Sequence, residues 1–190
     1  TALTLGTVLG WVASRFWVVE TLLRPITAAI KATPVASFII LVLLWFSGKN
    51  LSVIISMLMV FPVIYMNVLE GIRSADEELL EMAQVFRLSV SKKLLYIYLP
   101  AVAPFFVSAC SVSLGLCWKS GIAAEVIGTP DGSIGAVFYQ AKIFLQTSEL
   151  LAWTVVVVAV SVAFEKLFML LLRLVLKKLK MEDVLNGKRA

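Results

Sequence analysis

The sequence predicts an all-α membrane protein with five transmembrane helices. Hydrophobic residues make up 61% of its 190 residues, against roughly 45–50% in an average soluble protein, and the mean hydropathy is +0.97. These residues are concentrated in five apolar stretches, and one long polar interval separates the third stretch from the fourth. A chain of this composition is expected to cross a lipid bilayer several times and to carry no soluble domain.

The predicted spans cover residues 2–19, 34–47, 51–69, 95–118 and 150–172. The second would form only about 21 Å of helix against about 30 Å of hydrocarbon, so we expect it to extend before Pro34 with a kink there. In the first span, Gly6 and Gly10 form a GxxxG pattern, which predicts close packing against another helix. The chain begins at Thr1 inside an apolar stretch, and we expect the true N-terminus to lie upstream.

Basic residues are distributed unevenly between the two sides of the predicted spans. Thirteen Lys and Arg residues fall on the side that includes residues 74–93 and the C-terminal tail, three fall on the other side, and Lys166 lies within the last span. Cytoplasmic loops of membrane proteins carry the excess of Lys and Arg. This distribution predicts a cytoplasmic loop at 74–93, a cytoplasmic C-terminus and an external loop at 119–149.

The polar interval is predicted to form a short amphipathic helix. Ser74 and Glu77 have the spacing of a capping box, and acidic residues in the first turn suit the helix dipole. An apolar stripe at helical spacing then follows, formed by Leu79, Leu80, Met82, Ala83 and Phe86. Such a stripe can lie on the membrane surface or enter a groove on a partner protein.

A spaced pattern in residues 81–100 resembles the EAA loop of ABC-importer permeases. That loop reads E-A-A, three residues, G, nine residues, I, one residue, L-P, and the residues that fit at the correct spacing are Glu81, Ala83, Ile97, Leu99 and Pro100. Further motifs in the same order resemble the nitrate, sulfonate and taurine branch of these permeases. They are Thr33-Pro34, Phe61-Pro62, and Ala124-Glu125-Val126-Ile127-Gly128 with Gly132 and Gly135.

The sequence departs from the family pattern at two positions of this loop. Met82 replaces an Ala, and Arg87 stands where the family has Gly. A Gly there suits a left-handed helix C-cap, a conformation that costs other residues about 1 kcal/mol. Three interpretations of Arg87 remain open: a turn built differently, a new polar contact with a partner, or a tolerated surface substitution.

The resemblance implies the five-helix core of type I ABC importers, with a cytoplasmic coupling helix between helices three and four. It implies a multi-pass protein of the bacterial cytoplasmic membrane whose partners are a cytoplasmic ABC ATPase dimer, a second permease copy, an extracytoplasmic solute-binding protein and the lipid bilayer, with no nucleic acid. ATP would be bound by the ATPase, so no cofactor is expected on this chain. The residues expected to couple to the ATPase are Glu78, Leu80, Glu81, Met82, Ala83, Phe86 and Arg87, while Ile97, Leu99 and Pro100 are expected to be structural.

Polar residues near the predicted spans are candidates for the solute pathway or its mouth. They are Asn67, Ser111, Lys119 and Glu125. Charged groups at membrane depth are costly and often functional, although ordinary interfacial charge explains Lys119 and Glu125 equally well. Glu165 and Lys166, inside the fifth span, are expected to extend towards the interface or to pair across the bundle.

The function predicted from these features is that of a permease subunit of an ATP-driven solute importer. A membrane scaffold that anchors an ATPase without carrying solute is the alternative. A membrane enzyme is disfavoured because the sequence has no His and no phosphate-binding Gly-rich loop. Cys110 and Cys117 are expected to be small core residues and not metal ligands. The sequence leaves the solute open, since specificity in such systems resides largely in the solute-binding protein.

Overall fold

The computed structural model of the protein describes residues 1–46 and 48–178. Every regular element in these ranges is helical, which confirms the predicted all-α class. A 3-10 turn lies at Gly48–Asn50 and a π-helical segment at Leu94–Tyr98. The α-helices of the described ranges are α1 (Ala2–Arg15), α2 (Trp17–Ala32), α3 (Val35–Trp45), α4 (Leu51–Arg73), α5 (Glu77–Val85), α6 (Val90–Lys93), α7 (Leu99–Gly128), α8 (Ile134–Ile143) and α9 (Thr147–Lys178). The predicted basic tail beyond Lys178 lies outside the described residues.

Three helical runs of the described chain are long and apolar enough to cross a membrane. They are α4, the continuous run Val90–Gly128 and α9, with mean hydropathies of 2.1, 1.8 and 2.4. The pair α2 and α3 would count as a fourth span, bent by 107° at the break that contains Pro34. The 14 residues of α1 give only about 21 Å of helix. Helix length therefore establishes a multi-pass protein but not the predicted number of five spans.

Several predicted boundaries differ from the structure. The first helix ends at Arg15 instead of residue 19, because Phe16 is extended (φ −121°, ψ 105°) and a new helix follows it. The fourth helix continues to Gly128, so residues 119–128, expected in an external loop, are helical. The last helix begins at Thr147 and runs to Lys178, beyond the predicted 150–172 at both ends.

The antiparallel pair of α4 and α7 forms the centre of the bundle. A Cβ added to Gly71 would lie 2.9 Å from the Cα of Val102, and at the opposite end Gly128 lies against Leu51. We call these the α5 end and the α8 end of the pair, after the short helix nearest to each. Between them lies the main hydrophobic cluster, formed by Val60, Ile64, Val68 and Ile72 of α4 with Ala109 and Cys110 of α7.

The small-residue face of α1 packs against α4. A Cβ added to Gly6 would lie 2.9 Å from Ile64 Cβ, and one added to Gly10 would lie 3.0 Å from Val68 Cβ. These approaches are closer than an ordinary van der Waals contact, so the two glycines allow the helix backbones to come together. In lipid, helix association depends on such close packing.

A larger residue at Gly10 is expected to separate α1 from α4. We expect Gly10→Leu to lower the free energy of unfolding by about 2 kcal/mol, the cost of overpacking a close contact, which corresponds to roughly 4–8 °C in a chain of this size. Thermal unfolding of the purified protein in detergent measures the effect. Gly115→Leu is the matched control, because nothing lies within 4 Å of a Cβ there. Equal destabilisation by both changes would contradict the assigned packing.

Two connections attach α2 and α3 to the central pair. At the α5 end the Arg73 guanidinium donates to the Glu20 carboxylate at 2.5 Å, which joins α4 to the first turn of α2. After the bend, Ile39 of α3 is buried with Leu51 and Ile55 of α4. The helices α2 and α3 therefore contact opposite halves of α4. The polar interval with α5 lies at the same end of α4 as the contact with α2.

Candidate functional site

The helix α5 starts two residues later than the sequence predicts. Its N-cap is Asp76, whose side chain accepts a hydrogen bond from the Glu78 amide at 2.9 Å. The predicted capping box of Ser74 and Glu77 is wrong, because Ser74 closes α4 and its hydroxyl donates to the Gly71 carbonyl at 2.9 Å. Ser and Asp are both good N-cap residues. Asp76 is the cap because α4 continues to Arg73 and Ser74 ends that helix. The acidic first turn of α5, Glu77 and Glu78, is as predicted.

A left-handed residue closes the C-terminus of α5. Arg87 has φ of 49°. Its amide donates to the Gln84 carbonyl at 3.0 Å, and the Leu88 amide donates to the Ala83 carbonyl at 2.9 Å. These are the two bonds of a Schellman motif, in which the left-handed position is usually Gly. The structure therefore keeps the left-handed turn that the family's Gly would make, with Arg in its place.

Replacing Arg87 with Gly is expected to stabilise the protein. The left-handed conformation costs an L-residue about 1–2 kcal/mol relative to Gly, so we expect Arg87→Gly to raise the unfolding temperature by about 2–8 °C. The matched control is Leu145→Gly, because Leu145 ends α8 with φ of 55° and is 87% exposed. Both changes should give a similar gain in a thermal melt. A loss at Arg87 alone would show that its side chain makes a stabilising contact.

One side of α5 is packed against the start of α7. Ala83 is fully buried, at 0% exposure, in a cluster with Ala75 and Ile97, and Leu80 and Leu88 complete it. The expectation that Ala83 faces an ATPase is therefore wrong, since Ala83 is buried against its own chain. Leu80 is partly buried beside it, and its coupling role stays a prediction. This packing gives a physical reason for the spacing of the motif, because the small residue at 83 meets the apolar residue at 97.

The opposite side of α5 is an exposed apolar surface, which we call the coupling surface. It consists of Leu79, Met82 and Val85 of α5, Phe86 at its C-cap and Val90 at the start of α6. Val85, Phe86 and Val90 are the most exposed of the five, at 79%, 71% and 80%. The sequence identified Met82 and Phe86 as coupling residues but missed Val85 and Val90. Val85 could have been found, because it lies three residues after Met82, a spacing that places two residues side by side on a helix. Glu78, Glu81 and Arg87 are exposed beside this surface.

The other motif residues build the connection from α6 to α7. Ile97 is buried in the π-helical segment, where the Leu99 amide donates to the Leu94 carbonyl five residues earlier. Pro100 follows at the start of α7, where its missing N–H leaves the usual i→i−4 bond unformed. Residues Val90–Gly128 nevertheless form one unbroken helical run. Only the turn of residues 86–89 separates α5 from this run, which contains α7 of the central pair.

The four predicted pathway residues do not converge on one site. Asn67 donates to the Val63 carbonyl of its own helix at 2.8 Å. Ser111 and Glu125 both lie on α7, but about 21 Å of helix separates them. Lys119 is exposed on α7 between those two positions. Ser111 donates to Glu165 of α9 at 2.9 Å, whereas Glu125 has its polar partner on α8.

Glu125 has a structural position at the α8 end. Its carboxylate accepts a hydrogen bond from the Gly135 amide at 3.2 Å, in the first turn of α8. A carboxylate is favoured at a helix N-terminus. A Cβ on Gly135 would overlap Glu125 and the Val126 amide nitrogen. The Ala-Glu-Val-Ile-Gly segment and the later Gly135 therefore fix the corner between α7 and α8.

The fold and the coupling surface together define a class of protein. The structure is a multi-pass helical bundle with a short helix, α5, that packs on the start of α7 and exposes apolar side chains, an arrangement compatible with a membrane transport component. In agreement with this class, a family model described as "Binding-protein-dependent transport system inner membrane component" matches residues 2–181. The chain belongs to this family, whose members are transport permeases and not enzymes.

Curated relatives agree with this family. The chain is 29% identical over 175 residues to the "Putative aliphatic sulfonates transport permease protein SsuC" of Bacillus subtilis (strain 168), covering 91% of this chain and 63% of the relative. It is 37% identical over 145 residues to the protein of the same description from Escherichia coli (strain K12), covering 74% and 51%. It is 26% identical over 148 residues to the taurine transport system permease protein TauC of Escherichia coli, covering 77% and 54%. The chain thus spans about half to two thirds of the length of these relatives.

Proposed function

We propose that this chain is the transmembrane permease subunit of an ATP-driven solute importer, and that α5 is the helix on which a cytoplasmic ATPase acts. The coupling surface is the observation that carries this proposal. Five apolar side chains are exposed together on α5 and the turn after it, although α5 lies outside the long apolar spans. An exposed apolar patch of this kind indicates a protein interaction site.

The contacts that hold α5 in place would allow a movement of α5 to be transmitted to α4 and α7. Its inner side is packed through Ala83 onto Ile97, and its two ends are fixed by the Asp76 cap and the Schellman turn at Arg87. The segments on either side lead straight into α4 and α7, the central pair. A displacement of α5 by ATP-driven closure of a bound ATPase would therefore move the central pair instead of being absorbed in a loop.

The remaining partners follow from the same proposal. This chain supplies no phosphate-binding Gly-rich loop, so ATP is bound by the ATPase subunits. The excess of Lys and Arg on the side of residues 74–93 supports a cytoplasmic position for α5. A solute-binding protein then acts at the α8 end, and a second permease copy, in a homodimer, closes the path. The family description, which names binding-protein-dependent transport, supports the solute-binding protein as a partner.

The test is co-purification of the full-length permease with its ATPase in detergent. Val85 is 79% exposed on the coupling surface, and an Asp there would place a charge in the apolar contact. We expect Val85→Asp to weaken ATPase binding at least about tenfold, a loss of about 1.4 kcal/mol. The yield of monodisperse permease should not change, because the side chain supports no internal packing.

The matched control for this test is Leu145→Asp. Leu145 is also apolar and, at 87%, even more exposed, but it lies at the end of α8 and not on α5. This change should leave ATPase binding as in the wild type. Undiminished binding with Val85→Asp, or an equal loss with both variants, would reject the coupling surface as the ATPase site.

A further inference from the structure

The helix α2 exposes an apolar side that the described part of the chain does not cover. Val18, Leu22 and Ile26 are 62%, 62% and 50% exposed. They follow one another at intervals of four residues, so they lie on one side of the helix, and we call them the α2 stripe. Trp17, the first residue of α2, is 75% exposed beside them.

The opposite side of α2 carries basic residues. Arg24 lies two residues after Leu22, which places the two side chains about 200° apart around the helix. The Arg24 side chain is exposed and makes no hydrogen bond or ion pair within residues 1–46 and 48–178. Lys31 follows Arg24 on nearly the same side, seven residues later. Its ammonium donates to the uncharged sulfur of Met66 at 3.6 Å, so its charge is not neutralised by that contact.

Acidic residues do not balance these charges. Glu20 is the one acid among residues 15–31, and it already pairs with Arg73 of α4. The remaining basic residue of this segment is Arg15, which is exposed at the end of α1. Like Arg24, Arg15 has no side-chain partner in the part of the chain that the structure describes. Residues 15–31 thus combine an exposed apolar stripe with an excess of positive charge.

The contacts of α2 with α4 keep it near the α5 end of the bundle. Glu20, in the first turn of α2, pairs with Arg73, the last residue of α4. Towards the other end of α2, Lys31 contacts Met66, which is only about 10 Å from Arg73 along α4. The two contacts are about 16 Å apart along α2 itself. The helix α2 therefore runs obliquely to α4 and does not follow it across the apolar region.

The bend between α2 and α3 supports the same placement. The two axes are bent by 107° at the break around Pro34, and α3 contains no charged residue. Several apolar side chains of α3 are exposed, among them Ile40, Leu41 and Leu44, so α3 suits the hydrocarbon region. The bend turns α2 away from that direction. Since α2 also begins at the end of the bundle where α5 lies, it is placed at the boundary of the membrane.

We propose that α2 lies in the membrane interface as an amphipathic helix and binds anionic phospholipids. The α2 stripe lies against the acyl chains, and Arg15, Arg24 and Lys31 attract the negatively charged headgroups. A helix with an apolar side and a basic side binds such a surface through both, and each basic residue near it adds to the attraction of anionic lipid. Exposed Trp17 agrees with this position, because Trp is enriched at membrane interfaces.

The first test measures the membrane depth of two positions on opposite sides of α2. Leu22→Cys and Arg24→Cys are made separately in the full-length permease, with Cys110→Ala and Cys117→Ala, and each is labelled with a bimane fluorophore. The protein is reconstituted in phosphatidylcholine brominated on the upper part of its acyl chains, because bromine quenches a fluorophore on contact. We expect quenching at Leu22→Cys to be at least about threefold stronger than at Arg24→Cys, since only the apolar side enters the acyl region.

Two results of this test would overturn the proposal. Equal quenching at both positions would mean that α2 crosses the membrane with lipid around it. An unquenched label at Leu22→Cys would mean that protein, such as a second copy of the chain, covers the α2 stripe.

The second test compares brominated phosphatidylglycerol with brominated phosphatidylcholine as quenchers at Leu22→Cys in mixed vesicles. We expect phosphatidylglycerol to bind beside the label at least about fivefold more strongly, and Arg15→Gln with Arg24→Gln to lower this preference at least about threefold. The matched control is Lys119→Gln with Lys142→Gln, which also removes two exposed positive charges, but from α7 and α8. It should leave the preference unchanged. No preference before substitution, or an equal loss in the control, would refute the anionic-lipid site.

Co-purification with the ATPase separates this inference from the proposed function. A labelled variant that is monodisperse and retains the ATPase is folded, so an unquenched Leu22→Cys in such a complex refutes the position of α2 and leaves the coupling surface standing. If the wild-type permease fails to bind an ATPase, the proposed function fails, whereas the lipid contacts of α2 are still measured on the permease itself.

Discussion

Ala83→Asp is expected to release α5 from the bundle. Ala83 is 0% exposed and packed against Ile97, so its replacement would bury a carboxylate among apolar side chains. An unpaired buried charge costs several kcal/mol, and we expect a local loss of about 4 kcal/mol. Because α5 contributes little to the central pair, the spans should remain folded while α5 detaches from α7.

Hydrogen exchange and limited proteolysis measure this release. Amides of residues 77–88 should lose their protection in Ala83→Asp, and α4 and α7 should keep theirs, since proteins open in local cooperative units. Gln84→Asp is the control: it adds the same charge one residue later, at an exposed position, and should change local stability by less than about 0.5 kcal/mol. Unchanged protection in Ala83→Asp would mean that the packing of α5 onto α7 does not hold it in place.

Hydropathy and charge were sufficient to predict the class of the protein. The long apolar runs in residues 51–73 and 147–178 are expected to form spanning helices, because backbone N–H and C=O groups in lipid must form their hydrogen bonds within the segment. The family motif drew attention to position 87, where three interpretations were open, and the structure has Arg87 in a left-handed turn with φ of 49°. These features depend on composition or on short spacing, and both can be read from one sequence.

The direction of side chains on α5 could not be predicted in the same way. Leu79, Leu80 and Met82 form one apolar stripe in the sequence, but only Leu80 packs against the chain itself, whereas Leu79 and Met82 are exposed. Which side faces inwards depends on Ile97, which lies beyond the turn, and on the rotation that the Asp76 cap gives the helix. A pattern of period 3.6 identifies an apolar stripe. It does not show which residues of the stripe pack against the rest of the chain and which are exposed.

The partners of polar residues in the spans were also beyond the sequence. Ser111 meets Glu165 across 54 positions of the chain, and Glu125 meets Gly135 across a turn. Helical spacing relates residues only within one helix, so it could nominate Ser111 and Glu125 but not assign their contacts. The structure then distinguishes them: Glu125 joins α7 to the first turn of α8, whereas Ser111 joins α7 to α9.

A second large loss of stability is expected from a substitution at the corner between α7 and α8. We expect Gly135→Ala to lower the free energy of unfolding by about 3 kcal/mol or to lift α8 from α7, because the new Cβ would overlap Glu125 and the Val126 amide nitrogen. In a thermal melt this corresponds to roughly 6–12 °C. The overlap involves backbone atoms, so Glu125→Ala in the same chain should not restore stability.

Gly132→Ala distinguishes this overlap from the cost of losing a glycine in a loop. Gly132 has φ of 74° and open space around a Cβ, so its replacement should cost only about 1 kcal/mol of backbone strain. A Gly135→Ala protein as stable as Gly132→Ala would show that α8 can shift freely at this corner. The expected order, with Gly135→Ala clearly the less stable, would show that the close approach of the α7 backbone is the reason for glycine at this position.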